Sequence, residues 1–243
     1  AYINKMDKIG ADFYMSLKSI HDRLSPNAVA VQLPVGEESS FSAIIDILEN
    51  KCWKFEGKHG EKHVEVPMPE DMKEKVAEYR QTLVERVAEN DDELIDKFLN
   101  AQEISIEELK KSIRKSCIAG KLYPVFCGSS LANMGVQLVL DGVNAYLPSP
   151  LDIKSFHGTN PDTGETEERK PVDSEPFSAL VFKIATDPFV GKLAFFRVYS
   201  GKLAAGSYVY NSTKGDKERI SRLLQMHANQ REEIKEVHAG DIA

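Results

Sequence analysis

The sequence of 243 residues has few cysteines and no apolar run that approaches the length of a membrane span. Cys52, Cys117 and Cys127 are too few and too widely spaced for a disulfide scaffold, which fits a reducing compartment. No secretory signal precedes Tyr2. A chain that begins within a strand is expected to have lost its true N-terminus.

An excess of positive charge is also missing. Lys and Arg total 31 against 38 Asp and Glu, a net charge of −7. An acidic chain does not favour general nucleic-acid binding, so any contact with RNA must be local. The length suits one large domain or two ordinary ones, and the content of 42% hydrophobic and 28% charged residues is that of a soluble globular protein.

The first chemically informative feature is an N-K-x-D tetrapeptide at residues 4–7. Guanine presents two adjacent donors, the ring N1–H and the exocyclic amine, and the Asp7 carboxylate can accept both. Adenine would leave that carboxylate unpaired, so the motif discriminates between the purines. The amide of Asn4 can approach the guanine N7 and O6 acceptors, and the aliphatic stem of Lys5 can lie over the purine plane.

The position of the tetrapeptide supports this interpretation. Tyr2 and Ile3 favour a strand before it, and a stripe at helical spacing follows it: Ile9, Phe13, Leu17, Ile20 and Leu24. Ligands of α/β sheets bind beyond the carboxyl ends of strands, where this loop is predicted to lie. A short tetrapeptide also arises by chance, and a polar loop without a ligand explains the segment equally well.

Residues 26–120 are predicted to form a self-contained α+β unit. Strands are predicted at 28–33 and 41–48, and a turn between further strands is predicted at 57–60. An amphipathic helix is predicted from Pro69, followed by two shorter helices. The last of these begins with a capping box at Ser105 and Glu108 and stops at Gly120.

The remainder begins with a second strand, loop and helix at residues 122–147, which Pro148 ends. Residues 153–176 are polar and turn-rich, including the turn at 160–164, and predict a linker or a long hairpin. Short strand-like runs with glycine-containing turns then predict a small β-barrel. These runs are 177–184, 193–199, 208–211 and 220–226.

Several further motifs accompany the tetrapeptide. They are residues 127–130 with 133–137, residues 146–150, 182–191 and 196–201, and residues 225–229 with 231–234. With these motifs the sequence resembles bacterial-type translation elongation factor G, the ribosomal translocase GTPase, over essentially its whole length. The run from Phe177 to the end of the chain is far more specific than any single motif.

The resemblance implies a guanine-binding site made of two loops. Asn4, Lys5 and Asp7 take the place of the guanine-specificity motif, and Ser129, Ser130 and Leu131 form the loop that closes over the base. The family more often has Ala where this chain has Ser130. A backbone N–H that donates to guanine O6 would survive that change.

The resemblance also implies a multi-domain fold, α/β followed by a β-barrel. Residues 1–25 and 121–153 would be the C-terminal half of a P-loop-type G domain, and residues 26–120 an α+β insert within it. Residues 154–243 would be a second domain, a translation-factor β-barrel that is incomplete at its end. A cytoplasmic location follows from the same resemblance.

In related factors the barrel touches the RNA of the small ribosomal subunit, and the insert offers a surface for ribosomal proteins. The candidate phosphate contacts of the barrel are Lys192, Lys202, Lys214, Lys217, Arg219 and Arg222. Ordinary solvated surface charge explains each of these residues taken singly. No membrane partner is expected.

The sequence departs from the family by lacking three elements of its chemistry. It has no G-x-x-x-x-G-K-[ST] loop, no threonine-bearing switch, and no D-x-x-G switch with a catalytic His. Residues 7–10 match D-x-x-G formally but overlap the base-reading motif. We therefore assign no catalytic and no metal-ligating residue, and expect an inactive fragment. GTP, GDP and Mg²⁺ would bind tightly only to the parent protein.

Two further interpretations stay open. One is a non-enzymatic ribosome-binding module built from the insert and the barrel. The other is a related translational GTPase, such as a ribosomal protection protein or a peptide-release GTPase. In either case an exposed sheet edge at the strand of Tyr2 and an unclosed barrel predict self-association through edge strands.

Overall fold

A computed structural model describes residues 1–152, 155–160, 163–187, 191–227 and 230–243. Parts of some predicted features lie outside these residues: the predicted domain boundary at 153 and 154, residues 161–162 of the predicted turn, and residues 188–190 and 228–229 of the family-like segments. The chain forms two compact units, a first unit Ala1–Leu147 and a second unit Pro148–Ala243. Within the described part, no helix has both the length and the apolarity to cross a bilayer.

The first unit combines a parallel and an antiparallel sheet. Its strands are β1 Tyr2–Ile3, β2 Ala28–Ala30, β3 Gln32–Val35, β4 Ala43–Asp46, β5 Lys51–Glu56, β6 Lys62–Val66 and β7 Tyr123–Cys127. The parallel sheet has the order β1-β7-β2, and the antiparallel sheet the order β3-β4-β5-β6. Because β7 lies beside β1, segments more than 120 residues apart in sequence end at the same edge of the sheet.

The helices of the first unit begin and end where local signals in the sequence place them. They are α1 Phe13–Arg23, α2 Glu70–Ala88, α3 Asp92–Leu99, α4 Ile106–Ile118 and α5 Val136–Tyr146. The predicted capping box of α4 is confirmed, with hydrogen bonds in both directions between Ser105 and Glu108. Gly120 follows α4 with a positive φ of 69°, which suits a helix stop.

The predicted apolar stripe of the first helix is wrong at both ends. Asp12 caps α1 by accepting the Met15 N–H at 2.8 Å, so the helix begins after Ile9, whose side chain is 96% exposed. Leu24 is the C-cap residue and is also exposed. Phe13 and Leu17 are the buried residues of α1 and fix its apolar face against the core.

The hydrophobic core of the first unit is continuous. Phe13, Ile44, Ile113 and Val125 are fully buried in one cluster that extends from Met6 to Tyr146. Strand β2 pairs with β7, although the sequence-based division places residues 28–30 in the insert. The division at 26 and 120 stays a prediction, and the apolar packing of the first unit is continuous across it.

The second unit consists of antiparallel strand pairs. The strands are β8 Phe156–Thr159, β9 Thr166–Arg169, β10 Ser178–Asp187, β11 Gly191–Ser200, β12 Leu203–Ala204, β13 Tyr208–Asn211, β14 Asp216–Arg219, β15 Leu223–His227, β16 Gln230–Ile234 and β17 Glu236–Val237. The pairs are β8-β9, β10-β11, β12-β17, β13-β14 and β15-β16. Val198, Leu203, Leu223 and Val237 form a small core.

Part of this arrangement was predicted from the sequence. The hairpin alternative for residues 153–176 is confirmed by β8 and β9. Strands β14 and β16 were missed because they are almost entirely polar, which hides the alternation of a half-buried strand. Ile220 was predicted to begin a strand, but it precedes β15 and packs on the core.

Candidate nucleotide-binding site

The loops that follow β1 and β7 lie side by side. Ile3 pairs with Cys127, the last residue of β7. The Gly128 N–H donates to the Ile3 carbonyl at 3.0 Å, and the Met6 N–H donates to the Gly128 carbonyl at 3.1 Å. The structure therefore brings the two predicted base-reading segments together at the carboxyl end of the parallel sheet, where α/β proteins bind ligands.

Asn4 links the two loops. Its Oδ1 accepts the Ser130 N–H at 2.9 Å, the Ser130 hydroxyl at 2.7 Å and the Lys5 N–H at 2.7 Å. Any contact of Asn4 with guanine is then left to its amide nitrogen, a donor that matches the N7 and O6 acceptors. The Ser130 N–H, which the sequence analysis assigned to guanine O6, is bonded to Asn4, so that contact requires a change of partner.

The turn from Asn4 to Asp7 is tight. Lys5 has a positive φ of 65°, which is uncommon for a residue with a side chain, and its carbonyl accepts the Lys8 N–H at 3.0 Å. Met6 is fully buried in the core of the first unit. These contacts fix the positions of Asn4 and Asp7 on either side of Lys5 and Met6.

Asp7 has one engaged and one orphaned oxygen. Its Oδ2 lies 2.9 Å from Nζ of Lys8, whereas its Oδ1 is buried and has no hydrogen-bond partner among the described residues. The neighbouring Ser129 side chain, followed by the Lys8 ammonium, lowers the pKa of Asp7, so the group stays ionised at neutral pH. The Asp7 side chain is 24% exposed, so a ligand can reach the carboxylate, and an ionised acceptor gains from each further donor that a ligand supplies. Guanine has two such donors side by side.

Ser129 and Leu131 occupy contrasting positions in the second loop. Ser129 is buried, and its backbone exchanges hydrogen bonds of 2.9 Å with the backbone of Met134. Leu131 is 86% exposed. The segment 129–134, called the base-reading loop below, is thus anchored at both ends and presents Leu131 to solvent.

Sequence reasoning missed the contribution of Lys8. Its ion pair with Asp7 is made at Oδ2, whereas Oδ1 has no partner within the described part of the chain. A basic residue adjacent to the motif was the available signal. The contact of Glu38 with this region had no such signal, because its Oε1 accepts the Gly10 N–H at 2.6 Å across 28 residues.

The six candidate RNA contacts of the second unit lie on different segments. Lys192 is on β11, Lys202 follows β11, and Arg222 precedes β15. Lys214 lies in the turn between β13 and β14, where its Nζ is 2.7 Å from Glu218. The structure places Lys217 and Arg219 together on β14.

Two tyrosines share a face with these basic residues. Tyr208 lies opposite Arg219, and Tyr210 lies opposite Lys217. Directly opposite residues, and residues two apart in a strand, lie on the same side of a sheet. Both tyrosines are half exposed or more, whereas Val209 on the other side packs against the core. We call the four residues Tyr208, Tyr210, Lys217 and Arg219 the basic-aromatic face.

Comparison with known proteins adds two findings. Residues 176–243 match the family model of elongation factor G domain 2. The chain is also similar to a protein of Thermus thermophilus known from a crystal structure, with 26% sequence identity and a TM-score of 0.76. That match covers 99% of this chain and 33% of the other, so the chain spans about a third of the length of that protein.

Proposed function

We propose that this chain, whose residues 176–243 match elongation factor G domain 2, is a segment of a ribosomal translocase GTPase. The parent protein would couple GTP hydrolysis to the movement of tRNA and mRNA during protein synthesis in the cytoplasm. The observation that carries the proposal is the ionised carboxylate of Asp7, which lies between two loops that the fold holds together and whose Oδ1 has no partner among the described residues.

Within this proposal the chain reads the guanine base. The Asp7 carboxylate accepts the two donors of the base. The amide nitrogen of Asn4 donates to its acceptors, and Leu131 covers the ring. The pyrophosphate and Mg²⁺ would be held by a phosphate loop that this sequence does not contain. The chain then contributes specificity, while most of the binding energy and the hydrolysis depend on residues outside it.

A titration of the chain with nucleotides tests whether the chain recognises the base while tight binding depends on the phosphate loop. We expect no calorimetric signal with GDP, GTP or ADP at micromolar concentrations, because the phosphate contacts are missing. At millimolar concentrations we expect guanosine to shift the backbone amide resonances of Lys5, Asp7 and Leu131.

Adenosine serves as the control for that titration, because it lacks the paired donors that Asp7 accepts. Equal shifts with both nucleosides, or no shift with guanosine, would contradict a base-reading role. Guanine-selective binding in the micromolar range would instead contradict the expectation that the fragment needs the phosphate loop.

For the partner of the second unit we propose ribosomal RNA at the basic-aromatic face. Two cations can pair with phosphates, and two exposed rings can stack on unpaired bases. This combination distinguishes the β13-β14 hairpin from the other candidate contacts. Of those, Lys192 alone belongs to a described strand pair, and it lies opposite Thr186, which offers no ring.

Replacing the cations of this face is expected to weaken binding to small ribosomal subunits. The double variant Lys217→Gln/Arg219→Gln should lower the slope of log affinity against log salt by about two, roughly one for each lost phosphate contact. The measurement is fluorescence anisotropy of the labelled chain with purified small subunits at several salt concentrations. The double variant Lys192→Gln/Lys202→Gln is the matched control with the same change of charge. An equal loss in both variants would indicate diffuse attraction and not a defined contact.

A further inference from the structure

The turn between β5 and β6 contacts the base-reading loop. This insert turn comprises residues 57–61. The Gly60 carbonyl accepts a hydrogen bond from Nε2 of Gln137 at 3.0 Å. A Cβ added at Gly60 would lie 2.8 Å from the Ala132 carbonyl oxygen and 2.9 Å from that of Asn133, so the two backbones are in close contact.

The insert turn is fixed internally. Oε2 of Glu61 accepts the His59 N–H at 2.8 Å. Donation from its own backbone N–H and from that of His59 lowers the pKa of Glu61, which keeps the carboxylate ionised and bonded. Gly57 leaves room for this carboxylate, because a Cβ there would lie 2.5 Å from the Glu61 carboxyl carbon. These contacts hold the turn in the shape that places Gly60 against the base-reading loop.

From Gly60 a continuous set of contacts leads to Asn4. Asn133 touches the insert turn and donates its N–H to the Ser130 carbonyl at 3.2 Å. Ser130 in turn bonds Asn4 Oδ1 through its N–H and its hydroxyl. Gln137 lies in the first turn of α5, and its Oε1 is buried without a partner among the described residues, so the bond to Gly60 is what orients this side chain.

We propose that the insert turn is a positioning element for guanine recognition. It packs on the backbone of the base-reading loop and holds Ser130 where Asn4 can bond it. Gly60 and Gln137 are the positioning residues, and neither touches the base. The ordering of the loop is a property of the chain alone, whereas the effect on guanine binding rests on the proposed function.

Two variants test the proposal in the intact chain. Gln137→Leu removes the bond to Gly60 while it replaces an orphaned buried oxygen with an apolar group. Gly60→Ala introduces a methyl group against the Ala132 and Asn133 carbonyls. We expect hydrogen exchange of the Ser129, Ser130 and Met134 amides to become at least about tenfold faster, the equivalent of one net hydrogen bond. The Ile45 amide in the core strand β4 should exchange at an unchanged rate.

Each variant has a matched control. Gln81→Leu makes the same change on the exposed side of α2, and Gly206→Ala places a methyl group at a glycine with φ of 85° and no atom within 4 Å. Loop exchange that is unchanged in Gln137→Leu, or that rises equally in the controls, overturns the proposal. If Gly60→Ala also accelerates Ile45, the chain has lost its fold and Gln137→Leu alone decides.

Guanosine titration followed by amide shifts separates the positioning of the loop from its role in guanine recognition. We expect guanosine affinity in Gln137→Leu to fall at least threefold, with Gln81→Leu unchanged. If the unsubstituted chain shows no guanosine response while Gln137→Leu still loosens the loop, the base-reading function fails and the positioning of the loop stands. If the loop loosens but guanosine binds both proteins equally, the role in recognition is overturned.

Discussion

An Asp7→Asn variant should exchange guanine for xanthine in a protein that joins this chain to the phosphate-binding part of a G domain. Asp7 offers a buried carboxylate oxygen with no partner among the described residues, and asparagine can present an amide donor in its place. The amine of guanine, a donor, then faces the amide donor of the asparagine and cannot bond with it. Xanthine carries a carbonyl at that position, which accepts from the amide, so xanthine becomes complementary to the variant. The amide oxygen can still accept the N1–H, so the substitution removes one hydrogen bond to a charged group. Such a bond contributes about 1.5–3 kcal/mol, which predicts a loss of GDP affinity of at least about tenfold.

Competition binding with GDP and xanthosine diphosphate measures this exchange. Asp22→Asn is the control, because Asp22 makes an exposed ion pair with Lys18 on α1, away from the motif. The control should keep its preference for GDP. A variant at Asp7 that loses both nucleotides equally would show that the carboxylate supports the loop and does not read the base.

The residues of the candidate site were proposed from the sequence alone, but the hydrogen bonds among them could not be predicted from it. The spacing of Asn4, Lys5 and Asp7 is a local pattern and carries its chemistry in the residue types. The bonds from Ser130 to Asn4 join residues 126 positions apart, and they depend on the parallel pairing of β1 with β7. A single sequence does not specify such non-local register, which also explains why the contact of Gly60 with Gln137 went unnoticed.

The same distinction applies to the fold. The capping box of α4 and its stop at Gly120 were predictable because they act within a few residues. Spacing alone extended α1 to Ile9 and Leu24, since apolar periodicity does not reveal the cap at Asp12. The polar strand β14 is a strand because it pairs with β13. The residues of β14 alone therefore do not predict it.

Gly128→Ala should destabilise the first unit and displace the base-reading loop. On backbone grounds alone the change is favourable by about 0.4–1 kcal/mol, because alanine restricts the unfolded chain and Gly128 has no positive φ. A Cβ at this position would, however, lie 2.3 Å from the Met134 carbonyl oxygen and 2.5 Å from the Tyr2 hydroxyl. Overpacking of this kind costs about 1–3 kcal/mol. Because this cost outweighs the entropic gain, we expect the free energy of unfolding to decrease.

Urea unfolding followed by the fluorescence of Trp53, the single tryptophan, reports on the first unit. We expect a lower midpoint with an unchanged slope. Tyr2→Phe in the Gly128→Ala background removes the hydroxyl but leaves the Met134 carbonyl, so it should restore little stability. Gly10→Ala is the control without a clash, since no atom lies within 4 Å and only the strain of its φ of 82° applies. A midpoint above that of the unsubstituted chain would mean that the Met134 carbonyl withdraws at little cost, and that the loop is less firmly held than its paired hydrogen bonds with Ser129 indicate.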